Sequence, residues 1–168
     1  MVHKPIVSAS NLVSENNVEL SEVEFGLIIA SNAFNRWAER CMTASGAKGL
    51  NTTDILVIHN IHHRNRPKRL NDICFTLNIE DTHQVAYALR KLVKQKLIQG
   101  EKSGKEMYYT LTAEGENLCE KYREVREHCL VEAFEGMGVS HEELSQLART
   151  LRTLSGSYDQ AARAAASL

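Results

Sequence analysis

The sequence predicts a mainly α-helical protein carrying one small β-hairpin. Three observations predict it. Apolar residues recur every three or four positions over most of the chain, capping residues head several of these runs, and two short β-prone runs flank a Ser-Gly pair near residue 103.

Residues 1–18 show no periodicity and are expected to form a mobile N-terminal arm. A first helix is expected from Ser21 to Met42, within a segment spanning 19–49. Val23, Leu27, Ala30, Phe34, Trp37 and Cys41 form its stripe, and Ser45-Gly46-Ala47-Lys48-Gly49 ends it. A second helix starts at Asn51 or Thr52, both good caps, with Asp54 favoured by the dipole of the first turn. It carries Ile55, Ile58 and Ile61 inward and stops near His63. After the basic loop Arg64–Arg69, the spacing of Leu70, Ile73, Cys74 and Leu77 predicts a short third helix, closed by a tight turn at Asn78-Ile79-Glu80.

A fourth helix is expected over 81–96, with Asp81 as cap and Gln84 completing a capping-box pattern. The hairpin occupies 97–111, with a two-residue Ser103-Gly104 tip. Thr112 caps a fifth helix reaching about Glu135, striped by Leu118, Tyr122, Val125, Cys129 and Ala133. Gly136-Met137-Gly138 breaks it. Ser140 and Glu143 form a capping box that opens a last helix to about Ala165, lined by Leu144, Leu147, Leu151, Leu154 and Tyr158.

The net charge of −1 conceals an uneven distribution. Residues 59–111 hold ten Lys/Arg against five Asp/Glu, and the flanking segments are both acidic. A basic middle third in a near-neutral chain points to a local polyanion-binding face.

The order helix, helix, tight turn, helix, hairpin over residues 50–112 is that of a winged helix-turn-helix. At 100° per residue, Val85, Ala88, Leu89 and Leu92 gather on one side of the fourth helix. His83, Tyr87, Arg90 and Lys94 gather on the other, flanked by Ala86 and Lys91. One face docks into a core, and the other offers a ring, a phenol and two cations to a major groove. The expected DNA contacts are Thr82, His83, Gln84, Ala86, Tyr87, Arg90, Lys91 and Lys94 on the helix, Arg66 and Lys68 in the basic loop, and Lys102, Ser103 and Lys105 on the wing.

The stretch Leu50-Asn51-Thr52-Thr53-Asp54-Ile55 through Leu92, then Leu97-Ile98, the wing, and Leu111-Thr112-Ala113-Glu114-Gly115 resembles the MarR family of bacterial transcription regulators. The Leu-Thr-x-x-Gly after the wing is typical of that family, as are one helix before the winged domain and two after it. The chain departs from the family where Ser103 and Lys105 replace a common Asp-x-Arg and where Tyr87 replaces a common Arg. Lys lacks the planar fork of Arg. The resemblance implies a homodimer formed by residues 19–49 and 113–168, a repressor on palindromic duplex DNA, and release by a small aromatic effector. Phe34, Trp37 and Arg40 are placed to line the effector pocket. Long apolar-striped helices that a single winged domain does not cover agree with the dimer.

Other chemistries find less support. His59 and His63 stand at a metal-chelating i, i+4 spacing, with His62 beside them, but no Cys, Asp or Glu completes a local motif, so no metal or cofactor is assigned. Cys41, Cys74, Cys119 and Cys129 form no CxxC pair and are expected as free, mostly buried thiols, with Cys41 serving packing. No phosphate loop, nucleophile elbow or paired carboxylates suggest an enzyme. The apolar run Leu27-Ile28-Ile29-Ala30 is too short for a membrane span, so a cytoplasmic, nucleoid-associated location is expected. The alternative reading is a winged-helix protein–protein interaction module without specific DNA binding.

Overall fold

The computed structural model describes residues 5–168; residues 1–4 of the expected arm lie outside them. The helices are α1 (Val18–Ala44), α2 (Thr52–His62), α3 (Leu70–Leu77), α4 (Thr82–Lys94), α5 (Ala113–Arg126), α6 (Glu132–Glu135) and α7 (His141–Ala165). Strands β1 (Ile98–Ser103) and β2 (Glu106–Leu111) stand between α4 and α5. The chain divides into two compact units, one ending at Val125 and the other running from Arg126 to Leu168.

In the first unit, the stretch before α1 is tied down from Ile6 onward. The Ile6 amide donates to Glu22 Oε1 at 2.8 Å, and Ser21 Oγ donates to the Leu12 carbonyl at 2.8 Å. Asn17 caps α1 by accepting from the Leu20 amide. Its C-terminal half, through Ala38, Cys41 and Met42, enters a core shared with Ile55, Val57 and Ile58 of α2, Ile73 of α3, and Val85, Leu89 and Leu92 of α4. Burying side chains of this size contributes roughly 1.5–3 kcal/mol each. Leu118, Cys119 and Tyr122 of α5 close that core, where Cys41 Sγ donates to the Tyr122 carbonyl at 3.6 Å.

Helix α2 opens on a full capping box. Asn51 accepts from the Asp54 amide, and the Asp54 carboxylate accepts from the Asn51 amide. The loop after it bends through two left-handed residues, Arg64 (φ 63°) and Asn65 (φ 43°). Asn78 ends α3 in the same region, at φ 52°, which creates the tight turn expected before α4.

The hairpin pairs Ile98 with Leu111 through Ser103 with Glu106, so its tip is Gly104-Lys105, one residue beyond the expected Ser103-Gly104. Gly104 has φ +62°, the conformation that a type II′ turn requires at its first central position. Lys68 adds a single antiparallel bridge to Tyr109, giving the wing a third edge. At the far end of β2, Thr112 Oγ1 donates toward the carbonyls of Lys96 and Leu97 and accepts from the Gly115 amide.

The backbone stays helical to Glu135, the expected end of the fifth helix, with a π turn at Glu127–Val131 between α5 and α6. In the second unit, Ser140 and Glu143 form the expected capping box at the head of α7. Its apolar residues Leu144, Leu147, Leu151, Leu154, Tyr158, Ala161 and Ala165 alternate at three and four residues, a heptad pattern. No helix among the described residues is long and apolar enough to cross a membrane.

Candidate nucleic-acid interface

Helix α4 is two-faced as its periodicity requires. Val85, Ala88, Leu89 and Leu92 are buried, while His83, Tyr87, Arg90 and Lys94 are exposed, Tyr87 at 60%. Its start is fixed by Asp81, whose carboxylate accepts from the His83 amide at 3.0 Å. Gln84 does not return to the Asp81 backbone as a capping box would. Its amide nitrogen instead reaches the same carboxylate at 3.4 Å. Thr82 and Gln84 are exposed and Ala86 is half-buried.

Asn51, Thr53, Asp54, Asp81, His83, Gln84 and Tyr87 line a cleft of about 370 Å³ where the first turns of α2 and α4 meet. A second depression, of about 470 Å³, brings Arg66 and Pro67 of the basic loop to Glu101, Ser103 and Tyr108 of the wing. Two of the sequence-derived contact groups therefore share one surface. Lys102, Ser103 and Lys105 are exposed at the wing. Glu101 and Glu106 flank them, which tempers the positive charge of the tip.

Two expected contacts are placed otherwise. Lys91 lies on the flank of α4 that faces α2, and its Nζ pairs with Asp54 Oδ2 at 2.5 Å; its side chain is 24% exposed against 1% for Asp54. Lys68 is buried at 8% exposure because its backbone exchanges two hydrogen bonds with Tyr109, at 3.0 and 2.8 Å. Neither position presents a cation in the way the sequence alone suggests. Arg69, the last residue of the basic loop, holds Asp72 through two side-chain hydrogen bonds of 3.0 and 2.9 Å. Those bonds keep the Asp72 carboxyl below the usual carboxylate range. Of the loop's cations, Arg64 and Arg66 are the exposed ones.

The histidines also separate. His62 and His63 are exposed, but His59 packs edge-on against the Tyr122 ring, with centroids 4.5 Å apart. Burial, aided by the neighbouring His62, lowers the His59 pKa to about 4. His59 is thus a packed, neutral side chain, set apart from the exposed His62 and His63. No group of three metal-ligating side chains occurs among the described residues. Of the effector-pocket candidates, Phe34 and Arg40 are exposed on α1, whereas Trp37 packs against the core. Three of the four thiols are buried and Cys129 is exposed.

Sequence reasoning missed the part played by Asp54. The available signal was an acidic residue three positions after Asn51, at the edge of an apolar run. That pattern marks a carboxylate turned back into its own helix start.

Residues 50–115 match the family of winged helix DNA-binding domains. That segment has the winged helix fold, with α4 as its third helix and the β1–β2 hairpin in the place of the wing. Over a longer stretch, the fold is similar to those of solved MarR-family transcription regulators. A MarR-family transcriptional regulator from a Rhodococcus species superposes with a TM-score of 0.67 at 14% identity, over 81% of this chain and 94% of that one. A cysteine mutant of Escherichia coli MarR complexed with operator DNA gives 0.67 at 13% identity, over 84% and 99%. Staphylococcus aureus MarR in complex with salicylate and kanamycin gives 0.64 at 16% identity, over 84% and 95%. No match was found among curated protein sequences.

Proposed function

We propose that this protein is a MarR-like transcription regulator that binds palindromic duplex DNA as a homodimer in the cytoplasm. The observation that carries this reading is the two-faced α4. Its inner face is wholly buried in the winged domain, and its outer face presents His83, Tyr87, Arg90 and Lys94 together. Tyr87 and His83 suit base edges, Arg90 suits a base edge or a phosphate, and Lys94, a turn further on, suits the backbone. Arg66, Lys102, Ser103 and Lys105 supply contacts beside the groove. Part of this set is sequence-blind, because phosphate contacts position the protein without reading sequence.

The homodimer is supported by apolar surface that each unit leaves uncovered. Leu20, Val23, Leu27, Ile28, Ile29 and Phe34 are all at least 37% exposed on α1. Leu144, Leu147 and Leu151 are at least 38% exposed on α7. Exposed apolar side chains repeating along long helices call for a partner helix. A two-fold protein in turn matches a palindromic site. Regulation by a small aromatic acid, acting through Phe34, Trp37 and Arg40, is supported by the salicylate bound to the S. aureus relative. On this reading the free protein represses and the effector releases it.

The test is fluorescence anisotropy and footprinting on the duplex upstream of the protein's own coding sequence. A scrambled duplex serves as control, and salicylate is then titrated in. Saturable, sequence-selective binding with a two-fold footprint is expected. Equal binding to both duplexes would leave the interaction-module reading standing instead.

A further inference from the structure

We infer that Lys91 and Asp54 form a clasp that sets the rotation of the recognition helix, making both of them positioning residues for DNA readout. The inference rests on the regulator reading above. It assigns Lys91 a role other than the phosphate contact that its place on α4 suggests.

Asp54 is fully buried at the head of α2, where Oδ2 accepts from both the Asn51 amide and Lys91 Nζ. Its Oδ1 is buried with no hydrogen-bond partner. The carboxylate is thus held by one helix cap and one cation, and that cation comes from the neighbouring helix. A buried carboxylate is costly unless paired, so Lys91 is bound to this position by the penalty of leaving it. Lys91 stands about 40° around the helix from Tyr87, one turn further on. Fixing one fixes the angle of the other.

The magnitude decides why this matters for readout. Side chains of a helix end about 5–6 Å from its axis, so a roll of about 10° carries their tips through about 1 Å. Productive recognition tolerates only about 0.5 Å. Val85, Ala88, Leu89 and Leu92 hold α4 against the core by close packing, which is non-directional. A directional, charge-assisted bond resists the roll.

The experiment compares Lys91→Met, Asp54→Asn and their combination with the wild type. Probes are the upstream duplex and its scramble across a salt series, with thermal melts confirming the fold. The clasp predicts that both single variants lose about tenfold in preference for the upstream duplex, within the range of a disturbed base contact. It also predicts that the double variant loses no more than either alone, and that the salt slope of Lys91→Met stays at the wild-type value. A phosphate-contacting Lys91, present twice in the dimer, would lower that slope by about 1.8 and leave Asp54→Asn without effect; that result overturns the inference. Should Lys91→Met unfold because it strands the buried Asp54 carboxylate, Asp54→Asn and the double variant carry the comparison: equal losses of preference support the clasp, and wild-type preference in Asp54→Asn overturns it.

Amide hydrogen exchange on the free protein gives a readout independent of DNA. Faster exchange along α4 in both variants, with α5 unchanged, supports the clasp, and wild-type protection of α4 overturns it. If wild-type protein fails to prefer the upstream duplex, the regulator reading fails, and the exchange result alone decides the clasp.

Discussion

The backbone carbonyl of Leu97 occupies the space that a side chain on Gly115 would need. A Cβ at residue 115 would clash with that oxygen and crowd Leu111 Cδ2 at 3.2 Å. Thr112 gathers the same strand end from the other side, donating to the Lys96 carbonyl at 2.7 Å and accepting from the Gly115 amide at 3.1 Å. The Leu-Thr-x-x-Gly motif is thus the joint that fastens the wing to α5. Its threonine ties the joint, and its glycine lets the backbone come close. Gly115→Ala is expected to destabilise the domain by about 1–3 kcal/mol, the usual cost of an overpacked site, read as a lower urea midpoint with an unchanged slope.

Lys96 follows α4 with φ 59°, in a conformation that costs a residue with a Cβ about 1–2 kcal/mol. Its side chain is exposed. Lys96→Gly relieves that strain and gives back about 0.4–1 kcal/mol through the looser unfolded chain. A net gain of about 0.5 kcal/mol, measured by thermal unfolding, is the expected outcome; a lower midpoint would contradict it.

His59 links stability to pH. Its pKa falls from 6.5 to about 4 on folding, chiefly through burial. Between those values the unfolded chain binds the proton and the folded chain does not, so stability rises with pH. The His59 contribution is complete above about 6.5 and is lost as pH falls toward 4. The full difference is of order 3 kcal/mol. Urea midpoints at pH 7 and pH 4.5 check it. His59→Leu should flatten the profile in that window, and an equally steep profile in the variant would place the effect elsewhere.

The apolar face of α7 is expected to hold two copies together. Leu147→Glu with Leu151→Glu places two carboxylates on the heptad seam, where their desolvation opposes pairing. Light scattering on a size-exclusion column is expected to show a monomer at micromolar concentration, with the far-UV spectrum of the winged domain retained. A dimer that persists would move the interface away from α7.

Arg90→Ala with Lys94→Ala removes two exposed cations from the outer face of α4. Every phosphate deprived of its cation lowers the dependence of log affinity on log salt by about 0.9. On the proposed dimer, which presents α4 twice, an anisotropy titration over a salt series is expected to give a slope shallower by about 2 to 4. An unaltered slope would remove α4 from the DNA face.

How much of the fold and the interface is legible in the sequence depends on how local each determinant is. The two faces of α4 follow from the helical period alone, and the sorting of Val85 and Leu89 from His83 and Tyr87 needs nothing further. Lys91 sits between the faces, where periodicity is silent, and its partner is 37 residues away. Lys68 escapes a local reading for a similar reason. Its burial comes from pairing with Tyr109, a non-local bridge with no trace in the basic loop around it. At the wing, the sequence contains the necessary glycine but admits two registers, and the pairing of Ser103 with Glu106 is the one with Lys105 in the turn. The π turn at Glu127–Val131 has no turn residue to announce it, since Glu-His-Cys-Leu-Val reads as ordinary helix. His59 resembles its two histidine neighbours in sequence, and only Tyr122, from a distant helix, sets it apart by covering it.

The ion pairs and bridges of the middle third bear on how such a protein would find its site. Ten cations stand between residues 59 and 111. Yet Lys91 is engaged by Asp54, Arg69 by Asp72, and Lys68 is withdrawn beneath the wing. As a polyelectrolyte, the domain has a lower valence than its composition advertises, and on any duplex it bound it would displace fewer counterions. On the proposed reading, it would linger only briefly on unrelated sequence. The discrimination left to it would come from shape and base contact more than from charge.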